Sequence, residues 1–175
     1  MLTFRCTQVV RRRLRLPREL PAAPLATTAL GDWYIHLIRF GRQQVIMATS
    51  ERSLLTVFLP ARGLRETMVP NLQAAVFELL VALDVPADTS RREVLLMSPA
   101  HYGCATNRRA LSSMNRLVLD ASWALDRYSN PLALALHLSD TPMSALGTKK
   151  GTYGYPDKVT RQLLQLDASN VGTGH

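Results

Sequence analysis

The sequence predicts an α+β domain, a mainly antiparallel sheet from the N-terminal third packed by C-terminal helices. Three observations carry this reading. Runs of β-branched and aromatic residues separated by turn residues fill the first 60 positions. From Pro70 onward the apolar residues recur at spacings of three and four. No internal repeat or heptad series suggests a solenoid or coiled coil. With 175 residues, 47% of them hydrophobic, the chain can bury one normal core. We expect a single domain over 1–166 and a frayed tail over 167–175.

Leu2 to Val10 carries enough β-formers for a first strand. The stretch "RRRLRLPRELPAAP" then reads as a helical turn followed by an extended connector broken by Pro17, Pro21 and Pro24. Trp33 to Phe40, a turn at Gly41-Arg42, and Gln44 to Thr49 form a hairpin by pattern. Leu54 to Leu59 is nearly all apolar, as in a strand covered on both faces in the middle of a sheet. Pro70 is placed for the first turn of a helix whose stripe is Leu72, Val76, Leu79, Leu80 and Leu83, closed by Pro86. Glu93 to Met97 reads as a short strand, resumed after Pro99 by Tyr102 to Ala105. Thr106 or Asn107 caps a helix with the stripe Leu111, Met114, Val118, Ala121 and Leu125. Asn130-Pro131 opens another helix, Thr141 to Tyr155 is loop, and Asp157 caps a last helix whose face is Val159, Leu163 and Leu166.

Charge is unevenly placed. The net charge is +8 and the pI about 10.2. Residues 1–18 hold six arginines and no acid, while the rest of the chain has 15 basic and 13 acidic residues. A local patch of this kind attracts a nucleic acid or an acidic protein partner, and it also keeps a protein soluble. The binding candidates are Arg11, Arg12, Arg13 and Arg15 in that segment, and Arg108, Arg109, Asn115 and Arg116 on the "NRRALSSMN" helix. The last group combines cations with a helix N-terminus, where free N–H groups can hold phosphate. Arg108, Arg109, Ser112 and Arg116 turn outward by spacing. Asn115 falls at the edge of the apolar stripe and needs hydrogen-bond partners there.

A second cluster, Asp32, His36, Glu51 and Arg52, lies at neighbouring ends of the predicted hairpin. It has the groups for acid–base work on a phosphate-bearing substrate. The same residues serve equally as a turn cap, a polar-face histidine and cross-strand ion pairs, and that structural role is favoured. Cys104 near His101 does not make a nucleophile–base pair, because positions three apart on a strand face opposite sides. His36, His101 and His137 lack metal-ligand spacing, so no metal and no cofactor are assigned. "GTKKGTYGY" at 147–155 could touch phosphate through Lys149, Lys150 and free backbone N–H groups, but a flexible surface loop is the favoured reading. The "LALALHL" helix offers an apolar face for self-association. No apolar run reaches the roughly 18 residues a membrane span needs. Two cysteines are too few for a disulfide framework and fit a reducing, cytoplasmic setting.

Five segments in order, "FRCT" (4–7), "LGDWY" (30–34), "SERSLL" (50–55) ahead of "LP" (59–60), "NRRALSSMN" (107–115) and "DTPMSALG" (140–147), resemble a family of small bacterial proteins classed as a domain of unknown function. The resemblance covers about residues 2–165. It departs from the family pattern at Arg116, where an acid is common, and at Met143, where a small residue or cysteine is common. It implies a bacterial, cytosolic, single-domain protein and carries no activity across. Together these readings point to a non-enzymatic binder of nucleic acid or an acidic protein, in a defence or toxin–antitoxin setting. The alternative is an enzyme using the Asp32 cluster.

Overall fold

A chain that starts with a short strand and returns through a helix must lay its next strand parallel to the first. The computed structural model, which describes residues 1–40, 43–124, 127–128 and 130–171, does this twice. In chain order come β1 (Leu2–Cys6), α1 (Gln8–Leu14), β2 (Trp33–Phe40), β3 (Gln43–Ser50), β4 (Thr56–Pro60), α2 (Leu64–Ala82), α3 (Ala87–Leu95) and β5 (Ala100–Cys104). Then follow α4 (Arg108–Ala124), α5 (Pro131–Ser139), a 3₁₀ turn (Ser144–Leu146) and α6 (Pro156–Val171). The sheet order is β4-β3-β2-β1-β5. β2, β3 and β4 form an antiparallel meander, while β1 runs parallel to both β2 and β5. The fold is α+β, with four of its five strands drawn from the first 60 residues.

Several elements differ from the sequence reading for identifiable reasons. The first strand ends at Cys6, and Val9 and Val10 belong to α1. Val10 and Leu14, four apart, are the two buried residues of that helix, and this spacing outweighs their β propensity. β4 lies at the sheet edge, not its middle. Its apolar run is nevertheless buried from Thr56 to Leu59, because α2 and α5 both pack on it. α2 starts at Leu64, so Pro70 is interior to the helix. Leu64 and Met68 extend the stripe of Leu72, Val76, Leu79 and Leu80, each worth about 1.5–3 kcal/mol on burial. Pro70 sits on the exposed face, where solvent can take the Glu66 carbonyl it leaves without an N–H. The segment read as a strand over Glu93 to Met97 is mostly the end of α3. In α6 the buried face is Asp157, Thr160 and Leu164, with Leu166 exposed. Asp157 lies inside that helix and accepts from Arg161 at 2.6 Å. α6 continues to Val171, and the rest of the expected frayed tail lies outside the described residues, as does the Gly41-Arg42 turn.

Several buried polar groups converge on one turn, Thr28 to Asp32. The Glu93 carboxylate, 1% exposed, accepts the backbone N–H of Ala29 and of Leu30, both at 2.9 Å. Ser50 donates its hydroxyl to the Leu30 carbonyl at 2.7 Å. Gly31 takes a left-handed φ of +76°, and the Arg52 side chain lies so close that a Cβ there would meet it at 3.0 Å. From that position Arg52 reaches the Thr28 and Ala29 carbonyls at 3.4 and 3.3 Å. Replacing Glu93 by alanine strands two buried N–H groups. We expect a loss of about 3 kcal/mol, read as a lower denaturant midpoint with an unchanged m-value; a midpoint within error of the wild type would reject this role.

Candidate functional site

The N-terminus of α4 is built by Asn107. Its Oδ1 accepts the N–H of Arg109 at 3.0 Å and of Ala110 at 3.2 Å, the pattern of a helix cap. Its Nδ2 donates to Glu51 at 3.2 Å, and its backbone N–H donates to the Tyr34 hydroxyl at 3.3 Å. The turn after β3 is thereby tied to the start of α4. Burial first, and then the Glu51 carboxylate, push the Tyr34 phenol above its ordinary range. Beside it, Asp32 is 4% exposed and accepts from the Thr3 backbone at 2.9 Å and from Arg5 Nε at 2.8 Å. Arg5 Nη2 completes the pair at 2.8 Å.

The exposed side of α4 faces the loop that runs from Pro142 to Tyr153, and a cleft of about 710 Å³ lies between them. Its walls carry Arg109, Ser112, Ser113 and Arg116 from α4, and Pro142, Met143, Ser144, Ala145 and Tyr153 from the loop. Among the described residues no carboxylate lines it. The loop is closed by Met143 and Gly154, which exchange backbone hydrogen bonds of 2.8 and 3.0 Å. Gly154 is required for that closure, since a Cβ would sit 2.6 Å from Leu146. The Arg109 guanidinium has no hydrogen bond or ion pair among the described residues, and neither do the Ser112 and Ser113 hydroxyls. Arg116 binds Asp120 through Nε, at 3.0 Å to both carboxylate oxygens. A second hollow of about 300 Å³ adjoins the first at Arg109 and Ser113, and has Glu51, Arg52 and Asn107 at its far end.

The residues marked from the sequence therefore divide. Arg109 and Arg116 meet in the cleft. Arg108 is exposed, with no ion pair among the described residues. Asn115 is exposed rather than set in the stripe, so its polar groups face solvent and need no internal partner. The buried residues of α4 are Ala110, Ser113, Met114, Leu117, Ala121 and Ala124, with Leu111 and Val118 half-buried and Leu125 outside the described residues. The free N–H groups expected to hold phosphate are taken, in part, by Asn107. In α1, Arg11 binds the Pro17 and Arg18 carbonyls at 2.9 and 2.6 Å, while Arg12, Arg13 and Arg15 are exposed. α1 packs on β1 and β2, and no hydrogen bond or ion pair among the described residues joins its arginines to α4.

The Asp32, His36, Glu51 and Arg52 set is spread over separate contacts. Asp32 serves Arg5, Arg52 serves the Thr28–Ala29 carbonyls, Glu51 serves Asn107, and His36 Nδ1 lies 3.2 Å from the Thr7 hydroxyl. Among the described residues no group of three His, Cys, Asp or Glu side chains could hold a metal. Burial drives the Cys6 thiol up to about 12, so it is not a ready nucleophile. Cys104 is its register partner across β1 and β5. Sequence reading missed Ser113, Tyr153 and the loop as walls of the cleft. Their signal, two quoted segments 25 positions apart, needed the fold to bring them together.

Fold and cleft define a small α+β domain with an arginine-lined hollow between a helix and a closed loop. The chain belongs to the family described as Domain of unknown function (DUF6933), whose model matches residues 3–159. No curated protein matches it. No helix among the described residues is long and apolar enough to cross a membrane.

Burial holds the pKa of His36 below its ordinary value. The unfolded chain, with a value near 6.5, then binds the proton more readily than the folded one. The stabilising effect of neutral His36 is fully present above that value and is lost as pH falls toward the folded pKa. Denaturation at about pH 7.5 and 5.5 should show lower stability at the acid end. His36→Asn should shrink that difference, and an unaltered difference would remove His36 as its source.

Proposed function

We propose that the protein is a non-enzymatic, cytoplasmic binder of a phosphate-bearing polyanion, and that nucleic acid is the partner class. The observation that carries this is the cleft along α4, where Arg109 stands unpaired beside Arg116, Ser112 and Ser113, with no carboxylate in the lining among the described residues. Arginine suits phosphate because its planar fork donates two parallel hydrogen bonds. The exposed Arg12, Arg13 and Arg15 add a second cationic surface that raises the rate of encounter. An enzyme acting through Asp32, His36, Glu51 and Arg52 is less supported, since Asp32 and Arg52 are occupied in holding the 28–32 turn. An acidic protein would meet the same guanidinium fork through its carboxylates, and competition between nucleic acid and an acidic polypeptide separates the two.

Binding of this kind releases counterions, so affinity should fall steeply with salt, by a log–log slope of about −0.7 to −0.9 per phosphate contacted. A gel-shift series on DNA and RNA should show retention at low salt. Arg109→Ala together with Arg116→Ala should weaken binding at least ten-fold and make the slope shallower by about 1–2. No retention of either nucleic acid at low salt would reject the reading.

A further inference from the structure

Three hollows follow one another along α4. Arg109 divides the 710 Å³ cleft from the 300 Å³ hollow, and at the other end Arg116 with Pro142 divides the cleft from a third hollow of about 340 Å³. The third contains Trp123, Arg127, His137 and Thr141. Arg109, Arg116 and Trp123 are seven residues apart in turn, so they share one stripe of the helix. Two aromatic rings stand open on this groove, Trp123 at 77% exposure and Tyr153 at 63%. An indole that exposed gains nothing for the fold. Resting on the polyanion reading above, we infer that the groove binds single-stranded nucleic acid lengthwise along α4, with arginines on phosphates and with Trp123 and Tyr153 stacking bases.

Cations alternating with exposed aromatic faces are what a single strand requires. Its phosphates need positive charge, and its unstacked bases need a flat apolar surface. A duplex offers neither ring a partner, because its base faces are already stacked on one another. The groove also excludes a duplex by shape. A helix that reads a major groove must protrude into it, whereas α4 faces the 142–153 loop across the cleft. From Arg109 to Trp123 the helix runs about 21 Å, which suits the short end of single-strand sites, roughly four nucleotides. Asp120 lies in the third hollow, but it holds Arg116 by Nε, so both terminal nitrogens of that guanidinium remain for a phosphate. The Ser112 and Ser113 hydroxyls between the two arginines are further donors to the backbone.

The test compares oligo-dT and oligo-U with a duplex of matched length, inorganic polyphosphate and poly-glutamate, using the full chain. Single strands should bind at least ten-fold tighter than the duplex and quench the fluorescence of Trp123. Trp123→Ala and Tyr153→Ala, both at exposed positions, should each weaken single-strand binding about ten-fold with the salt slope unchanged, and Trp123→Phe should restore most of it. If duplex or polyphosphate binds as well as single strands and both alanine variants are silent, the stacking inference is overturned while the polyanion reading stands. If poly-glutamate competes equally, the partner is an acidic protein and both fail. If no polyanion binds at low salt, both fail as well.

Discussion

One buried carboxylate holds a turn on which the rest of the molecule hangs. Glu93 at the end of α3 accepts two consecutive backbone N–H groups of the Thr28–Asp32 turn. The same turn's carbonyls are taken by Ser50 and Arg52, and its last side chain, Asp32, takes the Thr3 N–H and Arg5. Four elements distant in sequence thus share one polar centre: β1, the turn before β2, the turn after β3, and α3. A buried polar centre is costly when one partner is lost, at about 1–3 kcal/mol for each group left unpaired. That cost specifies register. β2 slipped by one residue would carry Asp32 away from Arg5 and turn Trp33 out of the core.

The constraint reaches the cleft through a single residue. The turn that supplies Ser50 and Arg52 also carries Glu51, and Glu51 binds the side chain of Asn107 at the start of α4. The position of Arg109 and Arg116 is therefore set by the polar centre on one side and by the apolar face of α4 on the other. The two segments "LGDWY" and "SERSLL" read as possible chemistry in the sequence. They are explained by this architecture, since the glycine's left-handed φ, the buried aspartate, the serine and the arginine each close a backbone gap.

What was legible in the sequence follows the range of the forces involved. The β2–β3 pairing, the stripe of α2 and the caps at Asn107 and Asn130 rest on contacts within a few residues, and they are where the pattern puts them. The end of β1, the edge position of β4, the helical α3 and the buried face of α6 depend on what packs against them from elsewhere. Glu93 illustrates the limit. Nothing within "REVLLM" marks its acid as buried, because its partners lie more than 60 positions away. In the site, Arg109 and Arg116 were visible as cations on a helix. Tyr153 lies in a loop whose sequence draws attention to its lysines and not to its ring, and Asn115 falls outside the stripe because most buried positions of α4 sit one residue from where spacing places them.

The division of polar groups is what the proposed binding role rests on. Residues suited to acid–base chemistry are engaged in holding backbone, and the buried Cys6 thiol is held in its protonated form. The groove along α4 gathers groups different in kind, without hydrogen-bond or ion-pair partners among the described residues: the Arg109 guanidinium, two serine hydroxyls and two exposed rings. Asn107 already accepts two of the N–H groups at the start of α4, so on the proposed reading the anion contacts come mainly from side chains on the flank of the helix. Charges presented this way act through water at the rim of a cleft, so they are screened by salt. Aromatic faces are not screened in that way, so the charged and stacking contributions can be separated by ionic strength alone.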